Sequence, residues 1–268
     1  MKLLVALLVL VSCVCFGSDN LSFIQQAGQF ATVTVSQDGV GNSVSGLAQR
    51  ANSLDPAQLR GDGNVINIEQ IGLGNNFGIR VNTSSQPRGR ITSSCFGCAP
   101  STLGNYYSYQ VNGNNNNSSI DSNGDGKNTS VSNTVSINEV GNNNTTVDTT
   151  IGSFNIITSS ITGNNNITTQ TSSNRNNVSY VAVSGDRNIT NTVQTGTGGV
   201  AIVDSQGMLN NVVLYQQDGG IGHTANVSLN GNANVVLITQ SGLDGDSNIG
   251  IRSRGSNNNF VITSNTTR

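Results

Sequence analysis

The sequence predicts an all-β chain, a β-solenoid of stacked eleven-residue strand–turn units, two units and so about 22 residues to a coil. Three observations carry that prediction. Glycine returns in one register along Gly141, Gly152, Gly163, Gly185, Gly196 and Gly207, with Asn174 at the single skipped place. Asparagine follows three residues later at Asn144, Asn155, Asn166, Asn188 and Asn210, and at Asn177 after Asn174. Each asparagine then opens a short run rich in Val, Ile, Thr and Ser, which reads as a strand after a turn.

Composition narrows the class. Only 10% of the 268 residues are charged and 4% aromatic, so an ordinary aromatic-rich core is not expected. A net charge of −2 with abundant β-branched residues favours self-associating β-structure over a solvated, disordered tail. No basic stripe is present, so nucleic acid is not an expected partner.

Residues 1–17 read as a signal peptide: Lys2, the apolar run Leu3 to Val11, then small residues around Cys15-Phe16-Gly17. The run is short for a membrane span. Leu10-Val11-Ser12-Cys13 loosely resembles a lipoprotein cleavage box, which leaves lipidation of Cys13 as an alternative. Either reading exports the mature chain, secreted or held at the cell surface.

Residues 18–82 read as solenoid repeats in phase with Gly28, Gly39, Gly61 and Gly72. The sharpest unit runs from Gly61 to Asn75. Because strand side chains alternate, Asn64, Ile66, Ile68 and Gln70 share one face and Val65, Asn67 and Glu69 the other. The same inward choice recurs as Ser22, Ile24, Gln26; Val33, Val35, Gln37; Val212, Leu214, Gln216; and Val236, Ile238, Gln240. Stacked amides can hydrogen-bond along such an array while the apolar pair fills a thin interior.

Residues 83–111 break the period and read as an inserted loop carrying Cys95 and Cys98. In an oxidising compartment the pair reads as a local disulfide. Metal or redox use would ask for a second pair, a nearby His or a βαβ context. Residues 112–268 read as repeats again. Asp121-Ser122-Asn123-Gly124-Asp125-Gly126 matches half of a calcium loop, but Ser132 stands at the twelfth place, so the segment reads as a turn. Asp244, Asp246 and Asn248 echo it more weakly. Gly231 and Gly242 continue the turn series, Asn234 the asparagines, and Phe260 and Ile262 fit inward positions, so the chain closes on a coil without a separate cap. In mid-array Thr146/Asp148, Ser179/Val181 and Thr190/Thr192 replace the apolar pair. Either the interior there is wetter or the faces exchange.

The spacing Asn64-x5-Gln70-x4-Asn75, with Gly72 between, resembles the curlin repeat of bacterial curli subunits. Gln37-x-Gly39-x2-Asn42, Gln240-x-Gly242 and Ser22-x3-Gln26-x-Gly28 carry parts of it. The resemblance implies strand–turn–strand units that stack as a β-solenoid and assemble into extracellular amyloid fibres. Departures are the many Thr, Ser and Val residues at glutamine places, and the cysteine loop. Sequons at Asn82, Asn144, Asn166, Asn177 and Asn188 mostly coincide with ladder asparagines and read as repeat chemistry rather than glycan sites.

The expected function is a secreted structural protein that self-associates for matrix, biofilm or adhesion, with nucleator or secretion accessory proteins as possible partners. The alternative is a monomeric ice- or carbohydrate-binding solenoid; Thr145, Thr149, Thr169 and Thr171 hint at an outer array that Ile156, Tyr180 and Asn191 interrupt. The acids are scattered and His223, the only histidine, reads as an exposed turn residue, so no enzyme activity, cofactor or metal is expected.

Overall fold

The computed structural model describes residues 10–16, 19–22, 24–27, 32–45, 57–60, 64–82, 106–123, 133–242 and 246–266. It is an all-β solenoid whose strands come in pairs, one pair per coil. The first coil holds β1 (Leu10–Phe16), β2 (Leu21–Ser22) and β3 (Ile24–Ala27). The second holds β4 (Thr32–Val40), β5 (Ser43–Ser45) and β6 (Ala57–Arg60). Then follow β7 (Val65–Leu73) with β8 (Asn76–Asn82) and β9 (Tyr106–Asn112) with β10 (Asn117–Asn123). The regular centre comprises β11 (Thr134–Val140), β12 (Thr145–Ser153), β13 (Ile156–Thr162), β14 (Ile167–Arg175), β15 (Val178–Ser184) and β16 (Ile189–Thr197). The C-terminal part comprises β17 (Val200–Gln206), β18 (Asn211–Ile221), β19 (Thr224–Asn230), β20 (Val235–Gly242), β21 (Asn248–Arg254) and β22 (Asn259–Thr266).

Two parallel sheets result, a 10-stranded one from β1 to β21 and a 12-stranded one from β2 to β22. Each strand pairs with its counterpart one coil away, as Thr145 does with Ile167 and Ile156 with Val178. The advance per coil is 22 residues in the centre and 24 toward the C-terminus, but 28, 41 and 33 toward the N-terminus. Strand register survives the longer advances because their extra residues leave between strands; the two extra residues of the 24-residue advance instead form an irregularity inside β18, where Thr195 pairs with Gln217 and Thr197 with Ile221.

Leu10–Phe16 lies within the segment read as a signal peptide and forms a strand parallel to β4. The array also resumes inside the segment read as an inserted loop: β9 pairs with both β7 and β11, and Tyr107, Tyr109 and Val111 point into the core. Cys95 and Cys98 lie outside the described residues, as do Gly28 and Gly61.

The interior contains two apolar blocks. One runs from Val33 and Val35 to Ile157 and includes Phe77 stacked on Tyr109 at 4.2 Å between ring centroids. The other runs from Ile161 to Ile251, with Phe260 and Ile262 packed against its end. Around their junction the second sheet points polar residues inward: Thr146, Asp148, Thr168, Gln170, Thr190 and Thr192 are all fully buried. The faces therefore do not exchange in mid-array; the interior itself becomes polar, forming a waist.

Candidate functional site

The turn glycines and the asparagines after them are two halves of one device. At the corner leading from the first sheet to the second, Gly141 has φ 128 and a Cβ there would lie 1.9 Å from the Gly163 carbonyl oxygen of the next coil. Only a residue without a Cβ allows that approach. The carbonyl so exposed accepts the Asn144 side-chain amide at 2.9 Å. The asparagine's own carbonyl oxygen then accepts both the backbone N–H and the side-chain amide of Asn166, at 3.0 and 3.1 Å. Asn166 repeats the pattern toward Gly185 and Asn188, and Asn210 toward Gly231 and Asn234.

Every buried corner amide thus binds the coil before and the coil after it. This satisfies polar groups that burial would otherwise leave at a cost of about 1–3 kcal/mol each. The column runs through Asn20, Asn42, Asn75, Asn116, Asn144, Asn166, Asn188, Asn210, Asn234 and Asn258 without a break. A parallel rim column, Asn114, Asn142, Asn164 and Asp186, accepts backbone N–H groups one residue after the glycines.

The opposite corner starts alike. Asn155 and Asn177 donate to the carbonyls of Asn174 and Gly196 and accept from the next coil's backbone N–H. Asn64 is buried on this side as well. Gly199 then offers no side chain, and His223 takes the following place. His223 was read as an exposed turn residue; it is fully buried, and its Nδ1 accepts the Ser247 backbone N–H at 3.2 Å while Nε2 has no partner. Its ladder position in the coil overrides the exposure that a glycine neighbour suggests.

Glutamines form two short ladders inside the coil. Gln37 donates to Gln70 at 2.8 Å in the first sheet, and Gln194, Gln216 and Gln240 link at 2.9 Å in the second. Ile66 and Ile68 are buried between such amides. Gln26 lies in β3, paired with Leu59. Of the remaining turn glycines, Gly39, Gly72, Gly152, Gly207 and Gly231 have positive φ, whereas Gly196 and Gly242 lie within strands and the corner after β16 falls at Gly198. The sequence reading missed Gln194, Asn116, Asn133 and Asn258 as ladder members. Their signal was positional, and variable coil length hid it.

In the waist, Glu139 and Asp148 are buried carboxyl groups without a cation among the described residues. Glu139 accepts from Ser118 (2.9 Å), Thr146 and Tyr109 (3.4 Å). Asp148 accepts from Ser159 at 3.0 and 3.1 Å. Burial holds both carboxyls above the ordinary carboxylate range, and the neighbouring Glu139 adds to the effect on Asp148.

In the last described coil, Phe260 and Ile262 occupy the inward positions of Val236 and Ile238 and are half-buried; β22 pairs with β20, and no other described strand lies on its far side. Outward on the first sheet, this end carries exposed Arg252 and Arg254, while the N-terminal coils carry exposed Asp38 and Glu69 on the corresponding columns. No group of His, Cys, Asp and Glu suited to a metal ion occurs among the described residues, and no helix among them is long and apolar enough to cross a membrane. Comparison with protein-family models, with curated proteins and with solved structures gives no match.

Proposed function

We propose that this chain is a secreted structural subunit that stacks end on end with copies of itself into amyloid-like fibres, for an extracellular matrix, biofilm or adhesive surface. The observation that carries the reading is the parallel stacking itself, in which each strand takes up its counterpart one coil away in register, down to β22 over half-buried Phe260 and Ile262. The edge of such a parallel array offers backbone donors and acceptors that a second array can take up in the same register. Charge supports a polar, head-to-tail arrangement, because exposed Arg252 and Arg254 lie in the last described coil while exposed Asp38 and Glu69 lie toward the N-terminal end, in β4 and β7.

The resemblance to curlin repeats fits the same use, with Asn and Gln ladders as the cohesive chemistry. The interaction surface is then the array end itself and the partner a second copy, with nucleator and secretion accessory proteins at most assisting. The role needs no catalytic step, cofactor or nucleic acid. Export rests on the leader at residues 1–17.

The test is quiescent incubation of residues 18–268, followed by thioflavin fluorescence and diffraction from an aligned pellet. Fibres with a ~4.8 Å meridional reflection that are seeded by their own fragments are expected. Ile262→Lys should leave the β circular dichroism intact and block elongation, because a charge on the stacking face cannot be desolvated there. A chain that stays monomeric with full β signal overturns the reading and favours an outward carbohydrate- or ice-binding face.

A further inference from the structure

The polar waist lies where the two apolar blocks meet, and its two acids share one coil. Glu139 projects inward from β11 and Asp148 from β12. Three further strands reach Glu139, through Tyr109 of β9, Ser118 of β10 and Thr146 of β12. Asp148 continues C-terminally through Ser159 of β13, which accepts the Gln170 amide of β14 at 2.6 Å; Gln170 in turn accepts from Ser179 of β15, and Ser179 meets Thr192 of β16 at 3.0 Å. Among the described residues, the inward side chains packed against the pair from β9 to β14 include no Lys, Arg or His, and the other titratable groups there are the phenols of Tyr107 and Tyr109.

We infer that the waist is a proton-operated joint, in which neutral Glu139 and Asp148 hold the two apolar blocks of the array together and loss of their protons opens the coils between them. A neutral carboxyl can share hydrogen bonds with hydroxyls in a closed interior. Two carboxylates in the same coil, with no cation to pair, repel each other and demand water that only an opened coil supplies. The linkage has a definite sign. The closed waist binds the acid protons more tightly than the open chain does, so stability is greatest below the ordinary carboxylate range, near pH 4. It falls as pH rises above that range until the buried groups themselves ionise. The joint belongs to the single chain and does not depend on end-on stacking.

Hydrogen–deuterium exchange of the full chain from about pH 4.5 to about pH 8.5, corrected for intrinsic rates, tests it against an E139Q D148N variant. Opening of β11–β16 should rise about 10- to 100-fold per pH unit in the wild type, one decade per titrating acid, while β19 and β20 stay level. The double variant should show a flat profile. If that variant fails to form β-structure, the localisation of the wild-type effect still decides. A rise shared equally by all coils overturns the joint, and so does a slope that persists in the folded variant.

Discussion

At one corner of the coil an asparagine stands in every turn from Asn20 to Asn258, and those from Asn42 to Asn234 are bound to the coils on both sides. At the other the column runs through Asn133, Asn155 and Asn177, then passes to Gly199, His223 and Ser247. Both corners arise from the same glycine-to-asparagine spacing, so the difference lies in what each must accommodate. Close carbonyls occur at both, 1.9 Å from a Cβ at Gly141 and 2.1 Å at Gly152, but the unbroken corner keeps an asparagine beside them in every coil. The lapsing corner keeps its backbone bond from Val200 to the His223 carbonyl, and there a ring nitrogen replaces the amide oxygen as acceptor. A ladder tolerates substitution where the backbone alone can carry the contact.

The largest expected effect comes from glycine at the unbroken corner, set against a glycine in mid-strand. Gly141→Ala places a Cβ 1.9 Å from a backbone carbonyl at φ 128, and should cost more than about 4 kcal/mol or prevent folding. Gly250→Ala, with nothing within 4 Å of its Cβ, should stay within about 0.5 kcal/mol of wild type. Chemical denaturation of both proteins measures the contrast, and equal effects would remove the close-approach argument.

Next comes the amide itself. Asn166→Ala deletes two donated and two accepted bonds and orphans the Asn188 backbone N–H, for an expected loss of about 3 kcal/mol. Asn155→Ala deletes one donated and one accepted bond at the other corner and should cost about half as much. If thermal melts rank the two in the opposite order, the unbroken corner is not the stronger one.

The smallest expected change sharpens the comparison by repair. His223→Asn removes the buried Nε2 that has no partner and returns an amide oxygen toward Ser247. It should stabilise the chain by about 0.5–1 kcal/mol. A loss of similar size would mean that the imidazole is required there for its volume, and urea midpoints distinguish the two outcomes.

Much of this architecture was legible in the chain. Alternation along Asn64, Ile66, Ile68 and Gln70 states which side chains face inward, and the recurrence of Gly and Asn states where the strands end. Both are local, since a strand's two faces and a glycine's access to positive φ are properties of a few consecutive residues. Other features were settled only by contacts between residues 7 to 41 positions apart. Those contacts decide that β9 belongs to the array, that His223 is enclosed, and that Thr146 and Asp148 are buried rather than turned outward. A polar residue can be buried only where another strand supplies its partner, and the length of the intervening excursion determines which residue that is.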